Sequence, residues 1–284
     1  MQILDGKALS KKIEIQVADS VKTLKDETGR TPGLAVILVG SDPASQAYVG
    51  MKKKACDRVG FYSVTHEMPA DISQDAIENT IKMMNLNPSI DGILIQLPLP
   101  EQIDTTKLLE LVAPNKDVDG FHPYNVGRLT TGLDGFVPCT PLGVMELLAE
   151  YNIDPQGKNA VVVGASNIVG KPMAALLLNA NATVQVTHIF TKDLKACTLN
   201  ADIILVGAGV INLITEDMVK EGAIIIDIGI NRAPNGKLVG DVDFENVAPK
   251  SSFITPVPGG VGPMTIAMLL QNTLRAAQAH AKES

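Results

Sequence analysis

The sequence predicts an α/β protein with two domains, each built on a parallel β-sheet covered by helices. Short, continuous runs of Val, Ile and Leu alternate along the chain with longer amphipathic segments. Strands that are buried on both faces of a parallel sheet have such runs, and amphipathic segments are typical of the helices that cover them. Aromatic residues make up only 4% of the 284 residues and Trp is absent, so the core is expected to be aliphatic.

The first half of the chain alternates between helical and strand patterns. Gly60 is expected to end the second helix, and Asp71 or Ser73 to cap the third. The predicted elements, in chain order, are a helix over about 7–28, a strand at 34–39, a helix over 44–59, a strand at 62–66, a helix over 74–85 and a strand at 92–96.

The second half repeats this alternation and predicts a doubly wound sheet. Residues 115–138 contain many turn residues and little periodicity, which indicates a functional or inter-domain segment. Thr140 is the expected cap of the next helix, with Pro141 at its first position. The predicted elements are a helix over 142–151, a strand at 160–163, a helix containing 172–178, strands at 183–187, 202–206 and 223–227, and a last helix from Thr265 to about 279.

Charge and composition argue against several classes of partner. The net charge is −7 and the isoelectric point about 5.1, so no basic surface is available for nucleic acid. No apolar run approaches the length needed to cross a membrane. The three cysteines are far apart and form no CxxC motif, which predicts no metal site and favours a cytoplasmic location.

A glycine-containing loop is the first candidate ligand site. Residues 164–170, Gly-Ala-Ser-Asn-Ile-Val-Gly, follow a predicted strand and precede a helix, where a doubly wound fold binds phosphate. The loop is not a clean GxGxxG, and a plain strand-to-helix turn is the alternative. The strand at 183–187 has no acidic residue after it before Asp193. His188 and Lys192 could instead receive a 2′-phosphate, which favours NADP over NAD, although Lys192 could equally be a solvated surface lysine.

A second group of residues could carry acid–base chemistry. Tyr48 and Lys52 are four residues apart on a predicted helix and share one face, either as an acid–base couple or as an ordinary surface pair. Gln96 ends a predicted parallel strand and could orient Lys52. Asp117 and Asp119 lie in a turn-rich segment, and a carboxylate there could accept two N–H bonds from a pterin.

A loop near the C-terminus is rich in proline and glycine. Residues 256–265, Pro-Val-Pro-Gly-Gly-Val-Gly-Pro-Met-Thr, lie between a strand and a helix. Such a loop has few side chains and lets the backbone approach a ligand closely, but it could also be a tight connection.

Taken together, these motifs resemble those of the bifunctional methylenetetrahydrofolate dehydrogenase/methenyltetrahydrofolate cyclohydrolase family. The resemblance runs nearly from end to end. The motifs are, in order, Tyr48-Val-Gly-Met-Lys52, Gln96-Leu-Pro-Leu-Pro100, Lys116-Asp-Val-Asp-Gly120, Gly164-Ala-Ser-Asn-Ile-Val-Gly170, Gly229-Ile-Asn231, Gly240-Asp-Val-Asp243 and Pro256-Val-Pro-Gly-Gly-Val-Gly-Pro263.

The resemblance implies oxidation of 5,10-methylenetetrahydrofolate with NADP⁺ (NAD possible) and hydrolysis of the product to 10-formyltetrahydrofolate. It implies a homodimer and a cleft between a folate domain, 1–139 plus 265–284, and a Rossmann-type domain, 140–264. It gives Lys52, Tyr48 and Gln96 catalytic or substrate roles. The other implied contacts are Asp119, Pro258, Gly259 and Gly260 for the folate, and Gly164, Ala165, Ser166, Ile189, Thr191 and Ile230 for the dinucleotide.

Two departures from the family pattern concern the cofactor. Many relatives have arginine at the position of Ala165 and others at the position of Ile189, where it could clamp a 2′-phosphate.

The sequence also leaves two other classes of protein open: a different two-domain dehydrogenase, acting on shikimate-like or amino-acid substrates, and a dinucleotide-binding regulator without turnover. For the loop at 256–265, we expect Gly260→Val to impair dehydrogenase activity more than stability.

Overall fold

The computed structural model describes residues 1–283, and the chain forms two compact units. We name them by their sheets. The six-stranded unit comprises Met1–Ser10, Leu129–Leu133 and Thr140–Thr265, and the three-stranded unit comprises Lys11–Arg128, Asp134–Cys139 and residues 266–283.

Helices and strands alternate through most of residues 1–283. The helices are α1 (Gly6–Thr28), α2 (Pro43–Val59), α3 (Gln74–Leu86), α4 (Thr105–Leu111), α5 (Pro123–Thr130), α6 (Cys139–Glu150), α7 (Gly170–Asn179), α8 (Leu194–Thr198), α9 (Phe244–Val247) and α10 (Val261–Glu283). The strands are β1 (Gln2–Ile3), β2 (Gly33–Val39), β3 (Tyr62–Met68), β4 (Gly92–Ile95), β5 (Asn159–Val163), β6 (Thr183–Thr187), β7 (Ile203–Val206), β8 (Ile224–Asp227), β9 (Asn231–Arg232), β10 (Leu238–Val239) and β11 (Phe253–Ile254).

The sheet of the three-stranded unit is parallel, with the order β3-β2-β4. Ala35 in the central strand lies opposite Val64 on one side and Ile93 on the other. Every residue of β2 and β4 is buried, as the continuous apolar runs predicted. Because the strands are parallel, their carboxyl ends meet at one edge, and Gln96 directly follows β4 there.

The six-stranded unit has a parallel sheet in the order β1-β11-β8-β7-β5-β6. Its outermost strand, β1, comes from the start of the chain and pairs through Ile3 with Ile254. From the sequence, residues 1–139 were expected to lie wholly in the other domain. The difference arises because a two-residue edge strand has no periodicity of its own and is defined only by its partner, which is distant in sequence.

Two predicted helix starts are wrong for the same physical reason. α10 begins at Val261, not at Thr265, and α6 begins at Cys139, so Thr140 is not its cap. The first N–H groups of a helix have no partner within it, so Pro263 and Pro141 fit in the first turn without losing a hydrogen bond. The Thr140 hydroxyl instead lies 2.9 Å from the hydroxyl of Thr265.

The turn-rich segment 115–138 contains one regular element that periodicity did not reveal. α5 begins where the buried carboxylate of Asp117 accepts the N–H groups of Phe121 and His122 and a side-chain N–H of Asn125. Burial of the Asp117 carboxyl raises its pKa to about 6, although these hydrogen bonds act in the opposite direction. Asp117 is therefore a structural acid.

A buried carboxylate connects loops at the carboxyl edge of the six-stranded sheet. Asp227 accepts the N–H groups of Gly229, Asp241 and Val242 at 2.9–3.0 Å. Burial raises the pKa of Asp227 to about 6, while these three bonds lower it. A Cβ at Gly240 would lie 1.8 Å from Oδ2 of Asp227, so the chain can approach this carboxylate only as glycine.

We therefore expect Gly240→Ala to lower the free energy of unfolding by about 3 kcal/mol, because the added methyl displaces a buried, hydrogen-bonded carboxylate. Gly207→Ala is the matched control in the same unit, since its Cβ would make ordinary contacts at 3.6 Å. Chemical denaturation followed by circular dichroism measures both. Equal stability of the two variants would contradict the close approach at Gly240.

Candidate active site

Lys52 lies on the buried face of α2 in the three-stranded unit. Asp42 begins the helix by accepting the N–H of Ser45 at 2.7 Å, and Gly60 ends it with φ of 81°. The Lys52 residue is only 6% exposed, with the buried Val49 and Cys56 one turn before and after it. A lysine so far removed from water needs specific partners.

Gln96 supplies one of these partners. Nζ of Lys52 donates to Oε1 of Gln96 at 3.0 Å, and Nε2 of Gln96 donates to the carbonyl of Leu97 at 2.8 Å. The second bond fixes the amide so that its oxygen faces the lysine. The structure thus brings Lys52 and Gln96 together as the sequence analysis expected. The Tyr48 ring also lies beside the lysine, with its centroid 5.2 Å from Nζ.

The electrostatics of Lys52 favour a neutral amine. Burial lowers its pKa, and the negative charge of Asp119 opposes this by raising it. The same two effects act in the opposite direction on Asp119: burial raises its pKa, and the positive charge of Lys52 lowers it. An amine with a lowered pKa can accept a proton near neutral pH, which is the chemistry of a general base.

Sequence reasoning missed two residues beside Asp119. The buried thiol of Cys139 donates to the Val118 carbonyl at 3.4 Å, and its sulfur lies beside the Asp119 carboxylate. Its pKa is raised well above the usual value by burial, so it stays a thiol. Asn272 on α10 donates to the Val118 carbonyl at 2.8 Å. The one available signal was a polar residue on the apolar face of the last helix.

In the six-stranded unit, the loop after β5 has the geometry of a phosphate-binding turn. Gly164 has φ of 113°, and a Cβ there would lie 2.4 Å from the carbonyl oxygen of Gly207. A Cβ at Gly170 would lie 2.0 Å from the carbonyl oxygen of Gly164. These two glycines allow the tight turn and the close packing of α7, as in dinucleotide-binding folds. The adjacent Ala165 is partly buried and Ser166 exposed.

The loop after β6 carries the next two predicted cofactor residues. The Thr191 hydroxyl accepts the N–H of His188 at 3.0 Å and so closes the turn. Ile189 is 91% exposed and Phe190 81% exposed at its tip. Ligands of open α/β sheets bind at the carboxyl ends of the strands, where this loop lies. His188 and Lys192 are also exposed.

The last predicted cofactor residue, Ile230, directly precedes Asn231, the first residue of β9. Asp241 accepts the N–H groups of Ala208 and Gly209 at 2.6 and 2.9 Å, and the side-chain amide of Asn231 at 2.8 Å. These bonds fix the chain on one side of Ile230, which is 51% exposed. Asp241 itself is fully buried, and sequence reasoning gave it no role.

The proline- and glycine-rich loop packs against the start of α1. The carbonyl of Gly259 accepts the N–H of Lys7 at 2.9 Å, and Pro258 is exposed. A Cβ at Gly260 would lie 2.7 Å from the carbonyl oxygen of Pro256. A side chain at Gly260 would therefore collide with the loop backbone, so we expect Gly260→Val to reduce stability as well as dehydrogenase activity.

The described residues contain no cluster of three or more His, Cys, Asp or Glu side chains suited to a metal ion. Through residue 283, no helix combines the length and apolar character that a membrane span requires.

The predicted site residues of both units lie in segments that match models of one protein family. Residues 4–119 match the catalytic domain of the tetrahydrofolate dehydrogenase/cyclohydrolase family, and residues 138–281 match its NAD(P)-binding domain. Bifunctional protein FolD of Sulfurimonas denitrificans is 83% identical over 284 residues, which is 100% of both chains.

Solved structures agree with this match. The bifunctional FolD enzyme of Campylobacter jejuni is 57% identical with a TM-score of 0.97, covering 98% of this chain and 99% of that one. The Trypanosoma brucei FolD enzyme, solved with NADP cofactor and an inhibitor, is 38% identical with a TM-score of 0.94, covering 98% and 97%. The chain therefore belongs to the tetrahydrofolate dehydrogenase/cyclohydrolase family.

Proposed function

We propose that the protein is a bifunctional one-carbon folate enzyme. It oxidises 5,10-methylenetetrahydrofolate to 5,10-methenyltetrahydrofolate with NADP⁺ and hydrolyses the product to 10-formyltetrahydrofolate. The observation that carries the proposal is the buried Lys52 amine held at 3.0 Å by Gln96, in a chain that matches both family domains over most of its length.

The six-stranded unit binds the dinucleotide. The fit rests on the tight turn at Gly164 and Gly170, where added Cβ atoms would collide with backbone. This turn lies between β5 and α7, the place at which doubly wound folds bind the phosphates of a dinucleotide. Ala165, Ser166, Ile189, Thr191 and Ile230 would line the same dinucleotide site. When bound, NADP⁺ supplies the hydride acceptor.

The NADP preference needs a cation for the 2′-phosphate. An arginine at position 165 or 189 could clamp that phosphate, but this chain has alanine and isoleucine there. His188 and Lys192 are the exposed candidates in the loop after β6. The T. brucei relative is described with NADP cofactor, which supports the same choice here.

In the dehydrogenase step, the protein has mainly to position the folate. A folate nitrogen lone pair stabilises the cation that forms when hydride leaves the one-carbon bridge, so no strong base is required. Asp119 accepts two N–H groups of the pterin through its carboxylate. Pro258, Gly259 and Gly260 remain predicted folate contacts.

The cyclohydrolase step needs proton transfers, and Lys52 carries them. Water adds to the methenyl carbon and gives one proton to the neutral amine. The bond from that carbon to one folate nitrogen then breaks as the amine returns this proton to the nitrogen, and the remaining hydroxyl proton leaves to solvent as the formyl C=O forms. Burial lowers the pKa of Lys52, which shifts the amine toward the neutral form that can accept a proton. Gln96 holds the amine in place and Tyr48 covers it.

Family membership at this identity argues against a dehydrogenase for shikimate-like or amino-acid substrates. A regulator without turnover would have no use for a buried lysine with a lowered pKa.

We also propose a cytoplasmic homodimer. The exposed apolar residues Leu178 and Val186, near the free edge of the six-stranded sheet at β6, support self-association, and sedimentation of the purified protein tests it.

One assay tests the function directly. Protein mixed with methylenetetrahydrofolate and NADP⁺ is expected to produce reduced cofactor and a transient methenyltetrahydrofolate absorbance that then decays. A parallel reaction with NAD⁺ measures cofactor preference. Absence of reduced cofactor with either dinucleotide would contradict the dehydrogenase assignment.

We predict that Lys52→Met lowers methenyltetrahydrofolate hydrolysis by about 10²–10⁴-fold, because it removes the proton carrier. Lys53→Met is the matched control, since Lys53 is exposed on the same helix. Hydrolysis followed by absorbance measures both, with circular dichroism to check folding. Wild-type hydrolysis by folded Lys52→Met would exclude Lys52 from catalysis.

We predict that Asp119→Ala weakens tetrahydrofolate binding by about 10–100-fold, because it removes charge-assisted hydrogen bonds to the pterin. NADP⁺ affinity should not change. The exposed Asp71 in the same unit provides the control variant Asp71→Ala. Titration calorimetry measures both ligands, and equal folate affinity in all three proteins would remove Asp119 from the pterin site.

A further inference from the structure

Asn272 is a polar residue at a buried position of α10, where an apolar residue would be expected. It is 3% exposed on α10, between Leu269 and Ala276, which are both buried. A buried amide costs free energy unless its hydrogen bonds are satisfied, and an apolar residue would pack there without that cost. The presence of asparagine therefore indicates a specific task for its amide group.

The amide joins two separate segments of the three-stranded unit. Nδ2 of Asn272 donates to the carbonyl of Val118 at 2.8 Å and to the carbonyl of Val137 at 3.1 Å. An NH₂ group has two hydrogens, and both partners are acceptors, so the orientation of the amide is determined. It also lies 3.7 Å from Sγ of Cys139.

These bonds fix the peptide that leads into Asp119. The Val118 carbonyl belongs to the peptide unit whose nitrogen is that of Asp119, and it faces two side-chain donors, Asn272 and Cys139. On the other side of Asp119, Gly120 has φ of 73° and packs so closely that a Cβ would lie 2.6 Å from the backbone of Pro138. The main chain of Asp119 is held from both sides.

We infer that Asn272 is a positioning residue that acts through Asp119: it sets the place of that carboxylate for folate binding and its separation from Lys52. The inference rests on the proposed function. Its physical basis is that a carboxylate forms two parallel hydrogen bonds to a rigid ring only if its direction is fixed in advance.

The test variant is Asn272→Ser, which shortens the side chain and leaves at most one donor. Thr273→Val is the matched control: Thr273 is fully buried on the same helix, and its hydroxyl donates only to Leu269 within α10, at 2.8 Å. We expect tetrahydrofolate affinity to fall about 10-fold in Asn272→Ser and to stay unchanged in Thr273→Val, with NADP⁺ affinity unchanged in both.

A double-mutant cycle separates positioning from general destabilisation. If Asn272 acts through Asp119, then adding Asn272→Ser to Asp119→Ala lowers folate affinity no further than Asp119→Ala alone. Additive losses in the cycle would overturn the inference. So would wild-type folate affinity in the folded Asn272→Ser protein, while failure of wild type itself to bind folate would refute the proposed function instead.

The pH profile of hydrolysis gives a second readout. The groups that face Lys52 are Asp119, Cys139 and Cys56, and the charge of Asp119 raises the lysine pKa. Loosening Asp119 weakens this effect, so the pKa of Lys52 falls and the basic form of the amine is reached at lower pH. We expect the rising limb of hydrolysis against pH to move to lower pH in Asn272→Ser but not in Thr273→Val. An unmoved limb would overturn the inference.

Discussion

The burial of the Lys52 amine is the constraint on which the rest of the three-stranded unit depends. An amine removed from water must have a hydrogen-bond partner, but a carboxylate in direct contact would keep it protonated. Gln96 meets both requirements because its amide oxygen accepts a hydrogen bond without carrying charge. Burial raises the pKa of the Cys56 thiol to about 12 and that of Cys139 well above its usual value, so neither adds negative charge near the lysine.

In the six-stranded unit, the buried charged groups that need hydrogen-bond partners are two acids. Asp227 and Asp241 lie at the carboxyl edge of the sheet, and each is satisfied by backbone N–H groups from loops that follow different strands. A carboxylate that accepts several N–H groups can be buried without a cation and fixes the loops that donate them. In both units the rigid parallel sheet supplies the frame, and buried polar groups at its carboxyl edge determine where the loops go.

The sequence predicted those parts that have a local signal. Buried strands such as β2 and β4 were found from their apolar runs, and the pairing of Lys52 with Gln96 followed from one helix face and one strand end. The helix α5 was missed because its start depends on the buried side chain of Asp117. The strand β1 was missed because two residues have no periodicity, and only Phe253 and Ile254 make them a strand. The roles of individual site residues remain predictions.

Distance along the chain explains why motif recognition alone describes the site incompletely. The residues from Tyr48 to Asp119 form recognisable motifs, but the peptide before Asp119 is held by Asn272, which is 154 residues away from Val118. Nothing in the motif around Asp119 encodes that contact, since it arises only when α10 packs in the three-stranded unit. A chain could therefore keep every motif and lose the geometry through one substitution in its last helix, because the direction of a binding carboxylate depends on what holds its backbone.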